Sequence, residues 1–153
     1  MKHLLKAFIM SMRKDVPPEW TLITRYSDIL SRLRYGSDSH IRLHPSCYID
    51  HRACLNRRGG EIEIDEKSCI MRYSQLLAQG GRITIGRHVT VNAFTYIGGA
   101  GNVTIGDYTR IAPYVGIFSF EHIYEDTDVK IALQGIRKAP VIIEEDVLSL
   151  IHI

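Results

Sequence analysis

The residue best placed to do chemistry is His122, in Phe118-Ser119-Phe120-Glu121-His122, where the chain's regular pattern stops. A neutral imidazole can take a proton from a hydroxyl as its oxygen attacks a thioester carbonyl, a contribution on the order of 10²–10⁴-fold. The tetrahedral oxyanion then needs a hydrogen-bond donor. No serine or cysteine nucleophile is required when both substrates meet directly. Spacing alone leaves His122 open between such a base and an ordinary loop histidine. His3, His40, His44 and His51 lie near the start or at early corners, His88 at an outward corner and His152 at the end. None of these reads as chemical. Cys47, Cys54 and Cys69 are odd in number and form no CxxC pair, so they read as reduced structural thiols of a cytoplasmic protein.

The elements that must position His122 are repeats. Aliphatic residues recur six apart in trios: Leu43, Ile49, Leu55; Ile64, Ile70, Leu76; Ile85, Val91, Ile97; Ile105, Ile111, Ile117. Four residues after them come small or β-branched residues, Cys47, Ala53, Ser68, Ser74, Val89, Thr95, Thr109 and Val115. One residue after many of them comes Asp50, Asp65, Gly86, Asn92, Gly98 or Gly106, types that tolerate tight or left-handed backbone. Each unit of six therefore reads as a short strand with a large and a small inward side chain, then a corner. Three units make a triangular coil, and coils stack at about 4.8 Å to build a core that no single coil has. Arg58-Gly59-Gly60, Gln79-Gly80-Gly81 and Gly98-Gly99-Ala100-Gly101 add turn residues at one corner. No helix-opening GxGxxG or Walker pattern is present.

From Ile117 to Ile143 is 26 residues, against 8 or 9 at the same corner of earlier coils. An insertion on one corner of a repeat protein commonly forms a binding wall, so residues 118–140 read as a projecting loop. Upstream, Lys2, Lys6, Arg13 and Lys14 interleave with Leu4, Leu5, Phe8, Ile9 and Met12 as in an amphipathic helix. It is expected to cap or dock on the rest, membrane contact being the alternative. Pro17-Pro18 interrupts any helix there. Trp20, Leu22, Ile23, Tyr26, Ile29, Leu30 and Leu33 are helically spaced and are expected to pack on the first coil, covering its open end. The net charge of +2, with no basic block, excludes a nucleic-acid groove. No run of 18 apolar residues and no cleavable leader is recognisable.

Gly106-Asp107-Tyr108-Thr109-Arg110-Ile111-Ala112-Pro113-Tyr114-Val115, then Phe118 to His122, then Ala139-Pro140-Val141-Ile142-Ile143-Glu144-Glu145-Asp146-Val147, resembles the hexapeptide-repeat O-acetyltransferases. The likeness is to the maltose, galactoside and colanic-acid-type sugar enzymes, over roughly residues 41–147. It implies an all-β left-handed parallel β-helix, acetyl-CoA as co-substrate without a metal, and a sugar or glycan acceptor in polysaccharide or lipopolysaccharide modification. It implies His122 as general base, Asn92 orienting acceptor or acetyl group, and a homotrimer with active sites between subunits. Arg137 and Lys138, just before the returning coil, are the candidates for coenzyme A phosphates, and Asp126 for orienting the imidazole.

The expected organisation is a cap over residues 1–40, a β-helix over 41–147 and an anomalous tail over 148–153. The tail departs from the family pattern: Ser149 falls where a large aliphatic belongs, and the stack is expected to end unfinished. The competing functions are a noncatalytic β-helix scaffold, a sugar N-acetyltransferase, and a carbonic-anhydrase-type β-helix needing a third histidine beside His88 and His122.

Overall fold

The computed structural model describes residues 18–150, with side chains from residue 26 onward. The expected amphipathic segment around Leu4–Met12 and residues 151–153 of the tail lie outside the described residues. Helix α1 (Pro18–Tyr35) opens the described chain. The first coil is β1 (Ile41–Leu43), β2 (Tyr48–Ile49) and β3 (Cys54–Asn56), and the second β4 (Glu61–Ile64), β5 (Cys69–Ile70) and β6 (Gln75–Leu77). The third is β7 (Arg82–Ile85), β8 (Thr90–Val91) and β9 (Tyr96–Gly98), and the fourth β10 (Val103–Ile105), β11 (Arg110–Ile111) and β12 (Gly116–Phe118). A ribbon of β13 (Phe120–His122) and β14 (Ile136–Lys138), with the short helix α2 (Ile131–Gln134) between, precedes β15 (Val141–Ile143) and β16 (Leu148–Ser149).

The coils form three parallel faces, β1-β4-β7-β10-β15, β2-β5-β8-β11-β16 and β3-β6-β9-β12. The chain is thus the left-handed parallel β-helix with a helical cap that its repeats and their resemblance predict. The aliphatic columns are in register: Ile64 pairs with Ile85, Ile70 with Val91 and Leu76 with Ile97. These side chains are wholly buried, as are the small residues Ser68, Ser74, Val89, Thr95 and Thr109. Burying one such aliphatic is worth about 1.5–3 kcal/mol, so the columns carry the core. The hydroxyls inside are satisfied by the next coil: Ser68 Oγ donates to the Gly86 carbonyl at 2.6 Å and Thr109 Oγ1 to that of Glu144 at 2.9 Å. Parallel pairing continues through Leu148 and Ser149, opposite Arg110 and Ile111, so the coil register persists into the first residues of the expected tail.

Two expectations are corrected. The left-handed corner residues are not those directly after each aliphatic but those three after it: Lys67, Tyr73, His88, Phe94, Tyr108, Tyr114 and Asp146, with φ between 55° and 63°. Gly86 and Gly106 instead serve close approach. A Cβ on Gly106 would lie 2.6 Å from Glu144 C and Glu145 N of the coil above.

The second correction concerns α1. The helix packs on the first coil as its spacing predicts, but over residues 26–35 the polar side, not the apolar one, faces the coil. Ser27, Asp28, Ser31 and Tyr35 are buried, while Tyr26, Ile29 and Leu33 are exposed. The reason is the surface being covered, because the underside of a terminal coil offers unpaired backbone groups as well as apolar ones. The Tyr35 hydroxyl accepts the N–H of Leu55 at 3.2 Å and donates to the Ala53 carbonyl at 3.1 Å. Arg32, braced by Asp28, donates to the carbonyls of Pro45 and Cys47 at 2.8 and 3.0 Å.

Candidate active site

The insertion that carries His122 is an ordered arm. Its strands pair antiparallel, Phe120 with Lys138, Glu121 with Arg137 and His122 with Ile136. Its base is locked to the coil by Ser119, which is 2% exposed. The Ser119 hydroxyl donates to the Gly98 carbonyl and accepts the Gly101 N–H, both at 2.8 Å. Its tip is closed by Gln134, whose Nε2 donates to the carbonyls of Asp126 and Val129, each at 2.7 Å. A positively disposed backbone at Gly135, φ 86°, ends α2 and turns the chain into β14.

Side chains alternate across a strand, so Phe120, His122, Ile136 and Lys138 share one side of the ribbon and Glu121 and Arg137 the other. The imidazole of His122 is exposed, and neither ring nitrogen is hydrogen-bonded among the described residues. Asp126 does not orient it: its Oδ1 accepts the N–H of Asp128 at 2.9 Å within the tip turn. Arg137 donates to Glu121 at 3.1 Å and Glu125 at 2.6 Å, away from His122. Lys138 makes no ion pair among the described residues. The neighbours Arg137 and Lys138 are thereby split between the two sides.

Asn92 begins the corner between β8 and β9. Its Nδ2 donates to the Ile111 carbonyl at 2.8 Å, and its own carbonyl accepts the Ser74 hydroxyl at 3.0 Å. The ribbon leaves from the corner between the β12 and β15 faces, so one chain does not bring Asn92 and His122 to the same corner. The corner of Asn92 carries a column that sequence reasoning missed. Phe94 stacks between Tyr73 and Tyr114 with centroids 5.1 and 5.0 Å away, and Arg52 lies over Tyr73 at 5.5 Å. The signal was present in the third residue after each aliphatic of that face.

At the ribbon base Phe118, Phe120, Glu121, Arg137, Pro140 and Val141 line a cleft of about 230 Å³, smaller than the 300–1,000 Å³ of typical ligand pockets. Two clefts of about 450 Å³ lie at the first coil, one lined by Arg34, Asp38 and Arg57 and the other by Arg42, His44 and Glu63, in the coil three below the ribbon.

Ser27, His51 and Asp50 also meet, but not as a nucleophilic triad. Ser27 Oγ lies 2.7 Å and Asp50 Oδ1 3.6 Å from the same ring nitrogen, Nδ1, where a triad uses opposite nitrogens. Ser27 is also wholly buried, on the side of α1 that faces the first coil. Cys47, Cys54 and Cys69 are free thiols, and burial pushes Cys47 up to about 11, far from a reactive thiolate. Among the described residues no three His, Cys, Asp or Glu side chains cluster as metal ligands, and no helix is long and apolar enough to cross a membrane.

Comparisons with protein-family models, with curated proteins and with solved structures gave no match to this chain. The tie to hexapeptide-repeat proteins is the architecture itself, a parallel β-solenoid of triangular coils with one inserted arm.

Proposed function

We propose that the protein transfers an acyl group, acetyl from acetyl-CoA, to a sugar hydroxyl, with His122 as general base. The observation that carries this reading is the free imidazole of His122 on an arm anchored by the buried Ser119. One ring nitrogen takes the acceptor hydroxyl's proton as its oxygen adds to the thioester carbonyl, and the protonated imidazole returns it to the departing thiolate. Lys138, on the same side of the ribbon, supplies a cation for the phosphates of coenzyme A.

The shallow cleft of a single chain suits a site completed by a neighbour. In the homotrimer proposed here, the ribbon of one copy lies against the corner of the next that carries Asn92, Phe94 and Tyr114. A head-to-tail contact between different surfaces of one chain closes into a ring of three when each copy is rotated by a third of a turn from the last. Asn92 Oδ1 and Nδ2 then orient the acceptor or acetyl group. A reducing, cytoplasmic setting is consistent with three free cysteines.

The test is coenzyme A release from acetyl-CoA with mono- and oligosaccharide acceptors bearing hydroxyls or amines, for the chain and for His122→Ala. Release that the substitution abolishes supports transfer, and the preferred acceptor separates O- from N-acetylation. A folded trimer that releases nothing above background with either acceptor class makes the protein a noncatalytic scaffold.

A further inference from the structure

The cleft beside the C-terminal end of α1 is rich in arginine. Arg34 of the helix, with Arg57 and Arg58 of the corner after β3, lines a space of about 450 Å³ in which Asp38 is the one carboxylate. That volume is within the range of small-molecule sites. Asp38 is already committed: its Oδ2 accepts Arg57 Nε at 2.9 Å and its Oδ1 the N–H of His40 at 3.0 Å. Arg34 and Arg58 pair with no carboxylate among the described residues. The carbonyls at the helix end are occupied too. That of Arg32 accepts the Gly36 N–H at 2.8 Å, and that of Tyr35 the Asp38 N–H at 3.1 Å. The cleft therefore holds an excess of positive charge.

The repeat does not require these arginines. Leu55 pairs with Leu76 and Asn56 with Leu77, so the next coil carries Ala78 and Gln79 where the first has Arg57 and Arg58. One coil further, Leu77 pairs with Gly98, which brings Gly99 and Ala100 to the same places. Gln79 has φ 52° and Arg58 φ 41°, so the left-handed turn recurs without the charge. Two of the three guanidinium groups are also held in advance. Arg34 Cζ lies 5.2 Å from the centre of the Tyr35 ring, whose hydroxyl is pinned between Ala53 and Leu55. Arg57 is held by Asp38. Such preplacement lowers the ordering cost of binding.

We propose that this cleft binds a phosphate monoester, with its anionic head between Arg34 and Arg58 and the terminal nitrogens of Arg57 beside it. A guanidinium fork meets two phosphate oxygens at once. Two unpaired guanidinium charges match the charge of about −1.5 to −2 on a phosphate ester at neutral pH. The rest of the cleft takes the esterified group. It lies in the coil three below the ribbon, so it is a second site, and the inference is independent of the acetyl-transfer reading.

The test is calorimetric titration of the full chain with phenyl phosphate at about pH 8, where the ester is a dianion, and with benzenesulfonate, a monoanion with the same ring. Phenyl phosphate is expected to bind about tenfold more tightly than benzenesulfonate. Arg34→Gln and Arg58→Gln are each expected to weaken it by about tenfold or more through lost charged hydrogen bonds. Glutamine already occupies the turn of Arg58 in the next coil, so Arg58→Gln keeps the fold, which an unchanged melting temperature without ligand checks. Lys130→Gln, at an exposed position on the arm, removes the same charge far from the cleft and should leave binding as it was. Vesicles of phosphatidic acid in phosphatidylcholine, against phosphatidylcholine alone, separate the sources of the phosphate. Co-sedimentation that Arg58→Gln abolishes assigns a lipid head group, and binding of phenyl phosphate alone assigns a soluble ester. The proposal is overturned by equal affinity for the two anions or by equal weakening in all three variants, which would mean general attraction to a basic protein. Absence of binding to either phosphate source, at ligand up to about 10 mM, overturns it as well.

Discussion

Arg137 lies directly across the ribbon from Glu121, the residue preceding His122, and donates to it at 3.1 Å while holding Glu125 at 2.6 Å. One guanidinium therefore spans both strands on the side opposite the imidazole, fixing the ribbon's register where the candidate base sits. Exposed ion pairs are screened by water and contribute little to stability, so the clamp matters to placement more than to stability.

In the acetyl-transfer assay, Arg137→Ala is expected to lower kcat about tenfold or more through misplacement of His122, with little change in KM for acetyl-CoA. Lys138→Ala is expected to do the reverse. Steady-state kinetics of the two variants checks this, and a mainly KM effect at Arg137 would return it to the co-substrate site.

Tyr35→Phe removes a hydroxyl that serves Leu55 and Ala53 at once. Two backbone groups at the base of the first coil lose their partner, at a cost of about 1–3 kcal/mol. Denaturant unfolding should register that loss, whereas Ser37→Ala, at an exposed position just past the helix, should change stability by less than about 0.5 kcal/mol.

Gly106→Ala and Lys67→Gly test the two kinds of corner position. The added methyl at residue 106 meets backbone of the next coil at 2.6 Å, and overpacking of this kind costs about 1–3 kcal/mol. Lys67 has φ 55°, a left-handed conformation that costs a residue with a Cβ about 1–2 kcal/mol. Glycine there relieves this strain but gains freedom in the unfolded chain, so Lys67→Gly is expected to be neutral or slightly stabilising. Opposite signs in thermal unfolding would reverse the assignment of the corners.

Asp107 ties neighbouring coils together. The backbone N–H of Arg87 at 2.7 Å, and then its guanidinium at 2.8 and 2.6 Å, hold the carboxyl below the usual aspartate range. A lowered folded value means stability that is present above about pH 3.9, the ordinary aspartate value, and lost as pH falls through the folded one. Asp107→Asn should therefore melt lower than the parent at pH 7, with the gap narrowing as pH falls below the ordinary aspartate range. A gap that stays constant with pH would show that the bonds matter through geometry and not charge.

The sequence by itself determined the number of full coils, the aliphatic columns spaced six apart and the place of the insertion. A stacked coil buries its inward residues against the coils above and below, so the spacing of six survives in the chain as a local, readable signal. The position of His122 was legible for the same reason, since the period breaks just before it. Only the tertiary structure decided the rest. Apolar spacing in Tyr26, Ile29 and Leu33 marks a seam but does not say which surface meets it, and the hydrogen-bonding edge of the first coil claimed the polar side instead. Residue type suggested left-handed backbone at Gly86 and Asn92, whereas chain geometry placed it at Tyr73, Phe94 and Tyr114, where stacking between coils offsets the strain. Adjacent in sequence, Arg137 and Lys138 were separated by the alternation of a strand that formed only once β13 and β14 paired.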